Sequence, residues 1–302
     1  MSSLVSIVGF GRVGRSLAFL LGSRSAPICL NVVDPFVNLG AYEDILHSCQ
    51  TKGFELVLND HELLAKSDVI FHCAGPSVPS GASRLSVTRE SLRLTEAIFA
   101  NLAPGSAVPL IVVLANPVDL VCLQAYHVTK IDPGRIVGTG TLLDTCRFNS
   151  LMDRELNLPS GTAEGIVLGE HGESMSLWLG GSVIDGKPLS QCVPSTTVDS
   201  VMSRTRQMAQ YIKNLQGATF YGVSRCALRI WDAFRAQKTE ILPVSIQVEP
   251  DYRASWDGEP FWMSLPCNVG RGKIHPITLP SDARLALDES ARRLRVAWEN
   301  SQ

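Results

Sequence analysis

The sequence predicts an α/β protein in which a Rossmann-type, doubly wound parallel sheet is followed by a mixed α+β domain. The first half of the chain alternates continuous apolar runs with stretches of helical patterning. Apolar runs of this kind are typical of strands buried on both faces of a parallel sheet. Beyond about residue 140, short strands, glycine turns and two long helices follow. A chain of 302 residues, 45% of them hydrophobic, is long enough for both units.

The first half supplies the strands and helices of the doubly wound sheet. Its apolar strands are predicted at 4–8, 28–33, 68–74 and 110–115, and its helices at 85–102, 118–130 and in a stretch that ends near residue 21. Because strands alternate with helices, right-handed crossovers between parallel strands are expected. This domain is predicted to span residues 1–139.

The second half, residues 140–302, is predicted to be the mixed α+β domain. It contains an apolar strand at 166–168, glycine turns at 180–181 and 185–186, and long helices at 197–214 and 219–236. Strands at 241–248 and 261–265 and a charged terminal helix at 282–299 complete it.

Composition excludes several classes of partner. Net charge is only −2, with 27 basic against 29 acidic residues, so neither a nucleic-acid surface nor a membrane surface is indicated as a partner. No apolar run reaches the roughly 18 residues that span a bilayer. The eight cysteines are scattered without a Cys-x-x-Cys pair, so neither a disulfide framework nor a metal site is predicted. The chain runs from Met1 almost directly into a strand, and a reducing, cytoplasmic setting is expected.

A glycine-rich turn at residues 9–14 indicates a dinucleotide site. Its sequence, Gly-Phe-Gly-Arg-Val-Gly, stands between a predicted strand and a predicted helix. In that context the glycines allow a tight turn, close approach of the backbone to a pyrophosphate, and close packing of helix on strand. Asp34 follows the second strand about 20 residues later, where a carboxylate can accept hydrogen bonds from ribose hydroxyls. It would repel a 2′-phosphate, so NAD is favoured over NADP, although Asp34 could also simply begin an Asp-Pro turn.

Three further residues indicate acid–base chemistry on a small anion. His171 lies in a Gly-Glu-His-Gly segment directly after the apolar strand at 166–168. Asp144 and Arg147 are three residues apart, on one face of a predicted helix. An imidazole with a pKa near working pH, a carboxylate to orient it and a guanidinium to bind a carboxylate suit hydride transfer on a hydroxy or keto acid. Taken singly, each could instead be structural.

Together these motifs resemble the NAD-dependent lactate/malate dehydrogenase family over about residues 4–295. The matching segments are 9–14 with Asp34, 44–47 (Asp-Ile-Leu-His), 74–75 followed by 81–84 (Gly-Ala-Ser-Arg), 116–119 (Asn-Pro-Val-Asp), 138–147, 169–172 and 265–267 (Leu-Pro-Cys). The resemblance implies a cofactor domain at 1–139 and a substrate and catalytic domain at 140–302. It implies a small 2-hydroxy or 2-keto acid as substrate, and a homodimer or homotetramer that pairs through the helix carrying residues 44–47.

The resemblance also implies a role for each matched residue. His171 would donate the proton to the keto oxygen and Asp144 would orient it. Arg84 would polarise the carbonyl, carried by a loop of small residues at 75–83 that closes over the substrate. The full substrate-binding set implied is Arg84, Arg147, Asn116, Val78 and Thr219. The cofactor-binding set implied is Gly9, Gly11, Val13, Gly14, Asp34, Ala74, Gly75, Asn116 and Val223.

The chain departs from the family pattern at Val78. Six residues before the loop arginine, lactate enzymes carry Gln and malate enzymes carry Arg. Because an apolar side chain cannot pair with the second carboxylate of oxaloacetate, a lactate-like monocarboxylate is favoured. A malate dehydrogenase remains an alternative if Arg89 or Arg93 replaces the missing cation.

Two other classes stay open. An NAD-dependent glycosidase shares this kind of fold but needs a metal. A non-catalytic NAD-binding relative would keep the fold without turnover.

Overall fold

In the computed structural model, strands from both halves of the chain form one nine-stranded sheet. The structure describes residues 2–79, 81–100, 102, 109–248, 256 and 259–302. The strands are β1 (Ser3–Val8), β2 (Ile28–Val33), β3 (Phe54–Leu58), β4 (Val69–His72), β5 (Leu110–Val113), β6 (Ile136–Gly138), β7 (Ala163–Glu164), β8 (Val167–Leu168), β9 (Ser176–Leu177), β10 (Val183–Ile184), β11 (Lys187–Pro188), β12 (Glu240–Gln247), β13 (Trp262–Gly270) and β14 (Lys273–Pro276). The helices are α1 (Arg12–Gly22), α2 (Leu39–Ser48), α3 (His61–Lys66), α4 (Thr88–Phe99), α5 (Val118–Thr129), α6 (Leu142–Glu155), α7 (Leu189–Cys192), α8 (Ser195–Gln216), α9 (Tyr221–Arg235), α10 (Ser281–Leu285) and α11 (Asp288–Glu299).

The centre of this sheet has the predicted doubly wound topology. The strand order is β14-β13-β12-β6-β5-β4-β1-β2-β3, and β1 to β6 are all parallel. The order 3-2-1-4-5-6 within it is that of dinucleotide-binding sheets, in which ligands lie at the carboxyl ends of the strands. The α/β fold class is therefore confirmed.

Burial explains why the first-half strands could be predicted. Every residue of β4 and β5 is buried, because helices cover both faces of the sheet. Such strands are apolar throughout, which made them visible in the sequence.

The structure corrects several predicted boundaries. The terminal helix predicted at 282–299 is two helices, α10 and α11, because the chain turns at Leu287 and buries that side chain in the core. The strand predicted at 261–265 extends to Gly270. The helix predicted at 85–102 begins as a 3-10 turn at Arg84–Val87 and continues as α4. Asn101, at the end of that prediction, and Ser80, in the predicted loop, lie outside the described residues.

Strands from the second half extend the sheet of the first half. β12 runs antiparallel to β6 through the pairing of Ser245 with Gly138, and β13 and β14 continue antiparallel beyond it. A smaller apolar cluster lies between α6, α8 and the short strands, around Phe148, Met152 and Val201. Helices α6 and α8 are thereby held above the carboxyl ends of the parallel strands. Within the part of the chain that the structure describes, no helix has the length and hydropathy to cross a membrane.

Candidate active site

The glycine-rich turn after β1 is closely packed on one side and open on the other. Gly9 has φ +95°, and a Cβ there would lie 2.5 Å from the backbone nitrogen of Ala74. A Cβ on Gly14 would lie 2.0 Å from the carbonyl oxygen of Gly9, so helix α1 packs directly on the turn. A Cβ on Gly11 would meet no atom within 4 Å. The open side at Gly11, at the start of α1, has the room and the free amides that a pyrophosphate requires.

Asp34 lies beside this turn at the end of β2. One of its carboxylate oxygens accepts the N–H of Phe10 at 2.6 Å, and the other accepts the N–H of Phe36 at 2.8 Å. The Asp-Pro turn and the position beside the glycines therefore occur together. Each oxygen keeps a further lone pair that can accept a ribose hydroxyl.

The acid–base group is a hydrogen-bonded chain of three side chains, of which Asp144 and Arg147 are buried and His171 is partly exposed. His171 Nδ1 lies 2.5 Å from Asp144 Oδ2, and Arg147 Nη1 donates to Asp144 Oδ1 at 3.1 Å. Asp144 and Arg147 come from the first two turns of α6, and His171 comes from the loop after β8. The backbone N–H of His171 donates to Asp119 Oδ2 on α5 at 3.3 Å. Because Asp144 engages Nδ1, the other ring nitrogen, Nε2, is left for a ligand.

Burial and charge set the protonation of this group. Burial on its own would raise the pKa of Asp144, but the charge and hydrogen bond of His171, together with Arg147, lower it to about 2. Burial lowers the pKa of His171, and repulsion from Arg84 lowers it further against the attraction of Asp144. Asp144 therefore stays ionised, and His171 loses its proton at a lower pH than an ordinary imidazole does.

His171, Arg147 and Arg84 open onto one cavity of about 300 Å³. The predicted site residues that line it are Val13, Val78, Arg84, Asn116, Arg147, His171, Thr219 and Val223. Asp144 lies behind His171, and the other predicted cofactor residues (Gly9, Gly11, Gly14, Asp34, Ala74 and Gly75) follow the neighbouring strands β1, β2 and β4 outside the cavity lining. The structure thus brings the predicted substrate residues together and places the predicted cofactor residues in a row beside them.

Asn116, directly beyond the end of β5, has an unused hydrogen-bonding atom. Its Oδ1 is buried without a partner among the described residues, while its backbone carbonyl accepts the hydroxyl of Ser91 at 2.6 Å. A buried amide oxygen without a partner is costly unless a ligand pairs with it. Together with the open side of the glycine turn, it shows that the residues present fit a dinucleotide.

Sequence reasoning missed a polar face of α8 that also lines the cavity. Arg206, Gln210 and Lys213 lie there at spacings of four and three residues, which place them on one helical face. Gln210 Oε1 accepts the N–H of Gly81 at 3.1 Å, so α8 contacts the loop at 75–83. The spacing within the predicted helix at 197–214 could have revealed this face, but not what the face contacts. Glu173, just beyond His171, was also missed.

Two arginines considered as replacement cations do not reach the cavity. Arg89 is exposed and donates to the carbonyl of Asn300 at 3.1 Å, and Arg93 is exposed on α4. Neither is among the residues that line the cavity. That hypothesis is wrong, because both side chains are exposed outside the cavity.

The cysteines and the segment at 44–47 lie outside the cavity. All eight cysteines are free thiols. Asp44 and His47 are exposed on α2, and His47 Nε2 lies 3.6 Å from a carboxylate oxygen of Glu43. Their predicted part in an oligomer interface stays a prediction.

The glycine turn, the strand order and the buried His–Asp pair define a dinucleotide-dependent oxidoreductase. Two family models match almost the whole chain. The model of the lactate/malate dehydrogenase NAD binding domain matches residues 3–138, and that of the lactate/malate dehydrogenase alpha/beta C-terminal domain matches residues 141–301. The chain therefore belongs to the lactate/malate dehydrogenase family, a family of NAD-dependent 2-hydroxy acid dehydrogenases, and NAD is its cofactor.

Similar proteins of both kinds are known. The L-lactate dehydrogenase of Treponema denticola is 26% identical over 97% of this chain and 96% of its own length, and the malate dehydrogenase of Bacillus cereus is 28% identical over 96% of each. Among solved structures, the minor L-lactate dehydrogenase of Enterococcus mundtii has a TM-score of 0.87 at 23% identity, covering 100% of this chain and 99% of that one. The malate dehydrogenase of Plasmodium falciparum has a TM-score of 0.88 at 17% identity, covering 100% and 98%. At these identities the structures support the fold, and the relatives leave the choice between lactate and malate open.

Proposed function

We propose that this protein interconverts a small L-2-hydroxy acid and its 2-keto acid, with NAD as the hydride carrier. The observation that carries the proposal is the cavity shared by His171, Arg147 and Arg84, with Asp144 hydrogen-bonded behind the imidazole. Residues 1–139 supply the cofactor side, and residues 140–302 supply the acid–base group.

In the reduction, His171 Nε2 donates a proton to the keto oxygen, and in the oxidation it takes the proton back. Asp144 holds Nδ1 and stabilises the imidazolium form, as a carboxylate partner does in other histidine sites. NAD, when bound, would supply the hydride in the reduction and take it up in the oxidation. Asn116 Oδ1 is placed to accept a hydrogen bond from the nicotinamide ribose or from the substrate.

Two arginines hold the keto acid in register with His171. Arg147 binds the substrate carboxylate through its paired N–H groups, and its contact with Asp144 fixes the guanidinium plane. Arg84 approaches the carbonyl oxygen as the loop at 75–83 closes and excludes water, which strengthens each charge contact. Thr219 and Val223 also line the cavity and would contact the nicotinamide or the substrate.

The residues that line the cavity bear on the side chain of the substrate. Val78 gives the cavity an apolar wall and, taken alone, favours a lactate-like monocarboxylate such as pyruvate. The cations on α8 favour a second candidate, a keto acid that carries a further negative charge. The relatives support either, since both lactate and malate enzymes are among them.

A spectrophotometric assay of NADH oxidation across a panel of 2-keto acids tests the proposal. We expect turnover of at least one acid, and a loss of about 10²–10⁴-fold in His171→Asn with NADH affinity retained. Absence of turnover with every acid, while NADH still binds, would favour the non-catalytic relative instead. Light scattering on the same preparation tests the proposed homodimer or homotetramer.

A further inference from the structure

The cavity holds more positive charge than a monocarboxylic keto acid requires. Four cations line it, Arg84, Arg147, Arg206 and Lys213, against one carboxylate, Glu173. In the proposed function, Arg147 takes the substrate carboxylate and Arg84 the carbonyl oxygen. Arg206 and Lys213 therefore have no role in binding a substrate with a single charge.

Arg206 is held in place with part of its guanidinium unpaired. Its Nη2 donates to the carbonyl of Met175 at 2.8 Å, which anchors the side chain beside the cavity. Its Nε is buried without a hydrogen-bond partner among the described residues. Arg206 has no carboxylate oxygen within 4.0 Å in the described part of the chain. A buried cationic donor without a partner is costly, and an anionic ligand that pairs with it removes that cost.

Lys213 lies two turns further along the same helical face. Its ammonium group also lacks an ion-pair partner among the residues that the structure describes. Burial lowers the pKa of Lys213, and repulsion from Arg84 lowers it further. Arg84 acts in the same way on His171. Arg84 therefore lies within electrostatic range of both His171 and Lys213, and all three line the same cavity.

Glu173 does not neutralise this excess. Its side chain is exposed, and no ion pair between Glu173 and any of the four cations is found among the described residues. Apart from Arg147, which pairs with Asp144, the cations of the cavity therefore have no carboxylate partner among the described residues. Such an excess of positive charge favours a second negative charge on the ligand.

The loop carries no charge at Val78, the position that selects the substrate in related enzymes, whereas the adjacent face of α8 carries two cations. Val78, on the loop, is apolar, while Gln210 on α8 accepts the N–H of Gly81 from the same loop. The loop thus lies against the helix face that carries Arg206 and Lys213. Cations on α8 can therefore select a charged substrate in place of a cation on the loop, while the acid–base group stays the same.

We propose that Arg206 and Lys213 are specificity-determining residues that bind a second carboxylate, so that the substrate is a 2-keto dicarboxylic acid. This inference rests on the proposed oxidoreductase function. It replaces the expectation of a monocarboxylate drawn from Val78 alone.

A binding experiment tests the proposal independently of turnover. N-oxalylglycine carries a second carboxylate, and N-ethyloxamate has the same length without it. Neither amide is a ketone, so neither accepts a hydride. Titration calorimetry of each into the enzyme–NADH complex is expected to show at least a tenfold tighter Kd for N-oxalylglycine. Lys213→Gln and Arg206→Gln should each remove most of that preference, because a charge-assisted contact is lost.

Arg204→Gln is the matched control. Arg204 is a cation on the same helix, but it pairs with Glu155 at 2.6 Å and does not line the cavity. It should keep the wild-type preference. Because Arg206 also anchors the carbonyl of Met175, its variant could lose stability. Lys213→Gln, at a half-buried position without such a contact, keeps the test decisive.

Turnover of the keto acids distinguishes the role of the α8 face from the proposed oxidoreductase function. The ratio of kcat/KM for 2-oxoglutarate over 2-oxopentanoate, or for oxaloacetate over 2-oxobutyrate, should exceed ten and fall at least tenfold in Lys213→Gln. Equal binding of the two oxamates, or an unchanged ratio in both variants, overturns the role of α8 and leaves the oxidoreductase function standing. Selective binding of N-oxalylglycine without turnover of any keto acid supports the α8 site and refutes the proposed function.

Discussion

Replacing Asp144 by Asn tests the proton-transfer group while leaving its shape almost unchanged. The contacts of Asp144 with His171 and Arg147 overcome its burial and bring its pKa from 3.8 to about 2. That fall corresponds to about 2 kcal/mol of net stabilisation of the carboxylate. The interaction is reciprocal, so the same carboxylate raises the pKa of His171 against burial. Its removal should lower the His171 pKa further, because burial and Arg84 then act without the opposing carboxylate.

The pH profile gives the direction of the effect. Reduction needs protonated His171, so kcat/KM for the keto acid should fall as pH rises through the His171 pKa, which burial and Arg84 hold below 6.5. In Asp144→Asn this fall should occur at lower pH, and oxidation should show the mirror image. At pH 7 we expect a loss in kcat of about 10²–10⁴-fold, since the tautomer and the imidazolium both lose their partner.

Steady-state reduction measured from pH 5 to 9 is the assay, and Asp153→Asn is the control. Asp153 is a second buried carboxylate of α6, but it accepts the N–H groups of Gly161 and Ala163 at 2.7 Å, away from the cavity. Its variant should lose stability and keep the wild-type pH profile. An unshifted profile with near-normal turnover in Asp144→Asn would refute the assigned role of this carboxylate.

Three further outcomes follow from the same contacts. Wild-type protein should prefer NADH over NADPH at least tenfold in kcat/KM. Asp34→Ser should reduce that ratio, because the carboxylate that repels a 2′-phosphate is gone. Comparable kcat/KM values for the two cofactors in the wild type would contradict the assignment of Asp34 to the ribose. Arg147→Lys should raise KM for the keto acid about tenfold or more while the Kd of NADH stays unchanged, since a lysine keeps the charge but loses the paired donors. A normal KM would mean that Arg147 does not bind the carboxylate. Burial raises the pKa of Asp119 to about 7. The contribution of protonated Asp119 to the free energy of unfolding is therefore fully present below pH 4 and is lost as pH rises through 7. Asp119→Asn should therefore raise the free energy of unfolding at pH 8 by at most about 4 kcal/mol, with no gain at pH 4, as measured by urea unfolding at both pH values.

The sequence predicted the parts of the site that are local in the chain. Gly9 to Gly14 and the pair of Asp144 and Arg147 are contiguous motifs whose geometry follows from one turn or one helix. Four of the six parallel strands, β1, β2, β4 and β5, were predicted because they are largely buried and mostly apolar. β3 was missed because it is only partly buried and carries Glu55 within its apolar run, and β6 was missed because it has only three residues, too few to show a period.

Contacts across the fold could not be predicted in the same way. Gly81 and Gln210 are 129 residues apart, and nothing in either segment indicates that a loop and a helix meet there. The pairing of β12 with β6 rests on a single register contact, Ser245 with Gly138. Antiparallel strands at the end of a parallel sheet have no periodicity that distinguishes them from a separate sheet.

Hydrogen bonds that cross between the two halves of the chain fix the position of the acid–base group relative to the cofactor turn. Asp119 on α5 accepts the backbone N–H of His171, and Ser224 on α9 donates its hydroxyl to the carbonyl of Val13 at 3.0 Å. The first contact ties the loop of His171 to the helix that follows Asn116, and the second ties α9 to the helix behind the glycine turn. Hydride and proton must reach adjacent atoms of one carbonyl group, so an error of about 1 Å between the two sites would cost rate. The shared sheet and these two contacts hold that distance, which leaves the loop at 75–83 and the face of α8 as the parts of the site that can vary with the substrate.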